Sequence, residues 1–236
     1  MLRNLLYLYV NDLLKFMKKI NKRSIEYFQE NILEWFEING RNFPWRKHGI
    51  SNYKIIISEV LLQRTKAETI AKFYPTFLNK YPSWKSINKS RLSTLEKALI
   101  PIGLYRQRSV LLKDLAKEMV KFNGRLPKTK EEIQKLPFAG QYITNAILQY
   151  IYHKPAPLLD INMDRVLERY FGPRKLSDIR YDPYLQDLAW KVVKNKDAKK
   201  INWGILDFAA LICKSHDPLC FGCKLRNSCR YVKLTL

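Results

Sequence analysis

The chain has 236 residues, 47% of them hydrophobic, enough to bury a sizeable core, and its eight glycines are too few for a loop-rich β architecture. Its 43 Lys+Arg against 21 Asp+Glu leave a formal charge of +22, too large for an ordinary enzyme of small metabolites, so a polyanion is the expected partner and nucleic acid the first candidate. A lysine-rich thermophile surface is the bland alternative, but that habit adds both signs of charge and leaves the balance nearer neutral.

Taken in chain order, Met1–Ile20 is apolar in places, but Asn4, Asn11, Asp12 and Lys15 interrupt it. It reads as neither a signal peptide nor a membrane span. Leu6, Val10, Leu13, Leu14 and Met17 can share one helical face, and Lys15, Lys18, Lys19, Lys22 and Arg23 make the end basic, so residues 1–23 are expected to form a docking helix. Ser24 is placed to cap a helix carrying Ile25, Phe28, Ile32, Trp35 and Phe36 and ending at Gly40. A second run of helical periodicity from Tyr53 to Phe73, burying Ile56, Val60, Leu61 and Ile70 and stopping before Pro75, predicts one continuous helix. Further helices are expected at about 90–99, 106–122, 130–136, 142–152, 163–171, 183–191 and 202–213, and no segment alternates as a strand would. The fold class is therefore all-α. No repeat or low-complexity linker divides the chain, so a second lobe would have to be built by the two chain ends meeting.

Three segments carry chemistry. Leu136–Leu148, LPFAGQYITNAIL, reads as a short helix stopped at Pro137, a tight turn through Gly140 and a second helix beginning near Tyr142. Such a corner places first-turn N–H groups where they can bind a phosphate oxygen, though many corners carry a glycine merely to turn. Asp160 follows apolar residues in LLDINMDRVLERY and precedes a helix, where it either caps that helix or serves as a fixed anion facing a developing positive charge. The four cysteines, Cys213, Cys220, Cys223 and Cys229, are spaced C-x6-C-x2-C-x5-C. Their confinement to one stretch favours a four-thiolate site over two disulfides, and the single C-x2-C pair leans towards a [4Fe–4S] cluster over a zinc ribbon, which usually has two. His216, inside that stretch, is a spare ligand candidate, whereas His48 and His153 match no motif.

Hairpin, aspartate and cysteine tail, in this order, resemble the helix–hairpin–helix DNA glycosylases with an iron–sulfur cluster, the endonuclease III-like superfamily. The likeness runs from about Asn31 to Cys229, and RNFPWR at Arg41–Arg46 with ISEVLLQRT at Ile57–Thr65 is similar to its mismatch-repair branch, above all the archaeal enzymes acting on T:G and U:G mispairs. The resemblance implies a two-lobed fold with a C-terminal cluster loop: residues 24–50 and 157–236 form the iron–sulfur lobe, and 51–156 a helical lobe with the hairpin. It implies that Asp160 stabilises the sugar cation or positions the attacking water. It places Tyr142 where strand-cutting members carry a Schiff-base lysine, so base removal should leave an intact abasic strand, and it makes Glu59 an acid in the base pocket, its pKa raised by apolar surroundings.

By the same likeness, Gln63 and Leu104 enter the duplex from the minor groove as the base is flipped out, and Arg64 beside Gln63 departs towards the thymine branch. Arg106 and Arg108 are suited to phosphate contacts; Gly140, Gln141 and Phe138 belong to the DNA-binding hairpin. Phe138 and Ala139 replace the family's usual glycine and valine, which would strain the turn if a positive φ is needed there. The expected partner is mismatched double-stranded DNA, met by a monomer in the cytoplasm of an archaeon or bacterium, with strand cutting left to an AP endonuclease. The alternatives are an adenine glycosylase acting on A:G or A:oxidised-guanine pairs, disfavoured because the chain stops seven residues after Cys229, and a non-catalytic iron–sulfur DNA-binding protein.

Overall fold

A computed structural model describes residues 20–137 and 139–235; the N-terminal docking-helix expectation and the hairpin residue Phe138 lie outside the described residues. The described chain is helical, with no strand. It divides into two compact units, one holding the residues up to Gly40 together with those from Pro155 onward, the other Arg41–Lys154.

The first unit is made from both ends of the chain. Helix α1 spans Lys22–Asn39, and its cap is Asn21 rather than Ser24: Asn21 Oδ1 accepts from Ser24 N at 2.7 Å. The difference is local geometry, since Asn21 has the extended backbone that a cap requires while Ser24 is already inside the first turn. The α1 stripe of Phe28, Ile32 and Trp35 is buried, and Trp35 meets Phe208 edge-on with ring centroids 5.1 Å apart. Gly204 permits that approach, because a Cβ there would lie 2.8 Å from Ile32 Cγ2.

The Arg41–Lys154 unit contains α2 (Asn52–Leu62), α3 (Ala67–Lys80), α4 (Trp84–Lys89), α5 (Leu92–Leu99), α6 (Tyr105–Lys121), α7 (Lys130–Gln134) and α8 (Gln141–Tyr150). Ile87, Leu95, Leu99, Leu112 and Leu115, from α4, α5 and α6, are fully buried, each stabilising the unit by about 1.5–3 kcal/mol relative to exposure. The continuous helix expected from Tyr53 to Phe73 is in fact two. The chain breaks after Leu62, with Arg64 in the left-handed region at φ 56°, and Pro75 lies inside α3 instead of ending it. A proline there forgoes one backbone hydrogen bond, and burial of Ile70, Tyr74 and Phe77 along the same helix offsets that loss. Trp45, stacked on Phe43 at 4.8 Å, packs edge-on against Tyr74 at 5.6 Å.

Candidate active site

In the first unit, an extended stretch leads to α9 (Ile161–Phe171), followed by α10 (Pro183–Val193), α11 (Ala198–Leu211) and a short α12 (Arg230–Thr235). The approach to α9 is held by Asn202, a fully buried α11 residue that sequence patterning overlooks. Its Oδ1 accepts from Leu158 N at 2.8 Å, and its Nδ2 donates to Ala156 O at 3.1 Å and Ala198 O at 3.0 Å. A lone Asn in an apolar helix gives no sign that two of its partners, Leu158 and Ala156, lie more than forty residues away.

Asp160 is the N-cap of α9 and is half-buried. Its Oδ1 accepts from Asn162 N and Met163 N, both at 2.9 Å, and its Oδ2 accepts from Asn162 Nδ2 at 2.7 Å. Of the four lone-pair directions of the carboxylate, one on Oδ2 remains for a substrate or water. Burial raises the Asp160 pKa above the ordinary carboxylate value, while the bonds from Met163 and Asn162 and the charge of Arg165 pull it back. The capping and anionic readings of Asp160 are therefore compatible: the cap bonds fix the carboxylate's direction.

The same helix carries the cysteine segment. Arg165 donates through Nη2 to Asn162 Oδ1 at 3.3 Å and through Nε to Cys213 O at 2.9 Å, so hydrogen bonds run from Asp160 through Asn162 and Arg165 to the first cysteine. One turn on, Arg169 donates to Lys214 O at 2.6 Å and Ser215 O at 3.1 Å, and lies 4.8 Å from the Tyr231 ring centroid. Cys213, Cys220, Cys223 and Cys229 are all free thiols and border one small cavity, whose wall is completed by Val166, Phe208 and Leu225. Burial, followed by the neighbouring thiols, pushes the Cys223 thiol up to about 11, so a positive centre is needed to hold it as a thiolate. The Nη1 of Arg169, 3.5 Å from Cys213 Sγ, already supplies one such donor. Four thiols around one cavity fit a thiolate-ligated metal group, although no three or more His, Cys, Asp or Glu side chains among the described residues converge as a single-ion site. His216 is exposed.

In the other unit, α7 and α8 form the helical hairpin. Gly140 caps α8 at φ −60° without a side chain, a Cβ at that position would meet nothing within 4 Å, and Thr144 Oγ1 locks the turn by donating to Ala139 O at 3.1 Å. No left-handed backbone demands this glycine; it leaves open space before the helix N-terminus, as close approach of a phosphate would require. Gln141 and Tyr142, both half-buried, are the first two residues of α8. Helix α2 packs directly on α8 and brings Glu59, only 5% exposed, into this unit's interior. That excludes a surface role for Glu59. Its charge is felt by Tyr74, whose hydroxyl is raised above its usual value first by burial and then by Glu59.

Gln63 ends α2 and Leu104 opens α6; both are exposed, as are Arg64 and Arg106. Arg108 corrects the sequence reading. It is 4% exposed and turned inward, its Nη1 donating to Gly103 O and to Ile102 O at 2.8 Å, its Nη2 to Gln63 O at 2.5 Å and Thr65 Oγ1 at 2.6 Å. All four terminal N–H groups are thus used, and none is left for a phosphate. Sequence alone could not separate Arg106 from Arg108, because a two-residue offset on a helix decides which guanidinium faces solvent.

The HhH-GPD family, base excision DNA repair proteins, matches residues 57–195, which include the hairpin, Asp160 and the Gln63 and Leu104 turns. The chain belongs to this superfamily. It is 34% identical to a thymine-DNA glycosylase of Aeropyrum pernix over 90% of this chain and 97% of that protein. It is 35% identical to a thymine/uracil-DNA glycosylase of Methanothermobacter thermautotrophicus over 86% and 92% respectively. The fold superposes on the solved structure of a thermostable thymine-DNA glycosylase with a TM-score of 0.83 at 33% identity, covering 90% of this chain and 98% of the other. As an HhH-GPD protein, the chain acts on DNA, and its charge of +22 suits that substrate.

Proposed function

We propose that this chain is a monofunctional DNA glycosylase removing thymine, and uracil, mispaired with guanine, in repair of deaminated 5-methylcytosine and cytosine. Two separate observations support the reading: in one unit the Asp160 carboxylate is held in a fixed direction at the start of α9, and in the other a phenol, Tyr142, stands in the first turn of the hairpin's second helix. In the reaction the N-glycosidic bond breaks with its electron pair leaving on the pyrimidine. Asp160 stabilises the sugar cation through its open Oδ2 direction and takes the proton of the water that attacks C1′. A phenol forms no imine, so no Schiff-base route to strand cleavage exists through Tyr142. Glu59 belongs to the base pocket.

Gln63 and Leu104 enter from the minor groove and fill the vacancy left by the flipped base, a T:G wobble costing less to open than a Watson–Crick pair. Arg64, Arg106, Gly140, Gln141 and Phe138 contact the DNA strands. Cys213, Cys220, Cys223 and Cys229 hold a [4Fe–4S] cluster, supported by their spacing and their shared cavity; its part is structural, fixing the basic loop of Lys214, Lys224, Arg226 and Arg230 against the phosphate backbone. Among the described residues no helix is long and apolar enough to cross a membrane, and a cytoplasmic monomer that hands its abasic product to an AP endonuclease is the expected setting.

The test incubates purified protein with labelled T:G, U:G, A:G and A:oxidised-guanine duplexes and heats half of each sample in alkali. Breakage of T:G and U:G only after alkali is the expected result. Strong breakage without alkali removes the Tyr142 argument, and excision of adenine alone transfers the chain to the adenine-specific branch.

A further inference from the structure

Two turns of the Arg41–Lys154 unit carry the residues assigned to the duplex, and both are conformationally strained. Arg64 follows Gln63 with φ 56°, and Leu104 itself has φ 50°, left-handed positions that side-chain-bearing residues rarely adopt. Neither turn is a continuation of the other; they lie about forty residues apart in sequence. The Arg108 guanidinium joins them, with one nitrogen on the carbonyls of Ile102 and Gly103 and the other on the Gln63 carbonyl and the Thr65 hydroxyl. Thr65 closes the ring by donating to Ile102 O at 3.4 Å.

We propose that Arg108 is a positioning residue for base extrusion: its planar fork rivets the Gln63 turn to the Leu104 turn, so that the two side chains enter DNA as one preset wedge. The inference rests on the reading above that Gln63 and Leu104 enter the duplex. The hydrogen-bond partners of Arg108 are three carbonyls and a hydroxyl, with no carboxylate among them. Burying a cation without an anion is a costly way to obtain stability alone. What the guanidinium does supply is geometry, because its donors are coplanar and fixed in direction, whereas a lysine ammonium is a point charge on a flexible stem. A preset wedge saves the ordering cost of two loops at the moment the base leaves the stack.

The experiment measures single-turnover thymine release by wild type, Arg108→Met, Arg108→Lys, Leu104→Ala and the Leu104→Ala, Arg108→Met double variant. Two duplexes are used: one with a T:G mispair and one with the same thymine opposite an abasic site, where no pair must be opened. A 2-aminopurine beside the thymine reports unstacking on binding. Arg108→Met is expected to slow release from T:G about tenfold or more and from the opened duplex less than about threefold, and to weaken the 2-aminopurine signal. Arg108→Lys falls between, and Arg108→Met adds little when Leu104 is already Ala.

Equal slowing on both duplexes by Arg108→Met would mean a merely structural residue and overturn the proposal, as would unchanged T:G release. Should Arg108→Met fail to unfold cooperatively, Arg108→Lys decides: a deficit confined to T:G supports the rivet, and wild-type rates on T:G overturn it. Leu104→Ala separates the layers. A selective T:G loss there without one at Arg108 rejects the rivet alone, while no selective loss at Leu104 rejects the wedge reading beneath it. Absence of thymine release by wild type rejects the proposed function itself.

Discussion

Replacing Asp160 by Asn isolates charge from geometry at the proposed catalytic carboxylate. The two bonds from Asn162 N and Met163 N reach Oδ1, an acceptor that an asparagine amide retains. The third, from Asn162 Nδ2 to Oδ2, becomes donor against donor, and turning the Asn162 amide over relieves it at the cost of the long 3.3 Å bond that Asn162 Oδ1 accepts from Arg165. Asn caps helices about as well as Asp, so the variant should keep its thermal midpoint and lose less than about 1 kcal/mol of stability. The reaction loses a full negative charge. At a separation of about 4 Å and an effective dielectric of about 20, a carboxylate and a sugar cation attract by about 4 kcal/mol, or about a thousandfold in rate.

The assay is single-turnover release from a T:G duplex at saturating enzyme, with duplex affinity measured in parallel. Asp160→Ala serves as a control that also removes the cap and should cost about 1 kcal/mol more in stability. Asp160→Asn excising within about tenfold of wild type would refute the electrostatic assignment. A midpoint as low as that of Asp160→Ala would refute the argument that the cap survives.

Other consequences follow from the surrounding geometry. Asn202→Ala strips Leu158 N–H and Ala156 C=O of their buried partner, a loss of about 2–4 kcal/mol, seen as a thermal midpoint lower by about 5–15 °C; an unchanged midpoint would show that the approach to Asp160 does not depend on this amide. Tyr142→Lys supplies the missing amine, and borohydride reduction during incubation with a T:G duplex should then trap a covalent complex that wild type does not form. Asp164, 3% exposed on α9, has its pKa raised to about 6, by burial first and then by Glu168, against the opposing effect of Arg174, whose Nη1 lies 2.5 Å from Asp164 Oδ2. Because the folded protein binds that proton more tightly than the unfolded chain, the contribution, on the order of 3 kcal/mol, is complete below the ordinary carboxylate range and is lost as pH rises through about 6. Asp164→Asn should flatten the fall in stability between about pH 4 and pH 6.5, and an unaltered pH profile would show that Asp164 is not its source.

Local chemistry determined a large part of this molecule. Helical periodicity follows from which residues repeat every three to four positions, so the all-α class was legible along the chain. The hairpin around Gly140 and the helix start at Asp160 are set by residues within a few positions of each other, and they too were legible. The grouping of four cysteines around one cavity follows from their closeness in sequence, with Arg165 and Arg169 as the added ties.

Tertiary structure decided what lies between distant segments. The helical periodicity from Tyr53 to Phe73 continues across the polar stretch Gln63–Lys66, so pattern alone did not show that the chain turns at Arg64; that turn is held by a guanidinium on α6 more than forty residues away. Helix α2 is apolar on nearly every side around Ile55–Leu62, so apolar surroundings for Glu59 were legible, while the helix that covers it, α8, was decided by packing. Arg106 and Arg108 are the same side chain in the same helix, and their opposite fates depend on which carbonyls the neighbouring turns present. A polar group's role is set by partners that meet it only after folding, which is why Arg108 and Asn202 escaped a reading built on local pattern while Asp160, bonded to its own next two or three residues, did not.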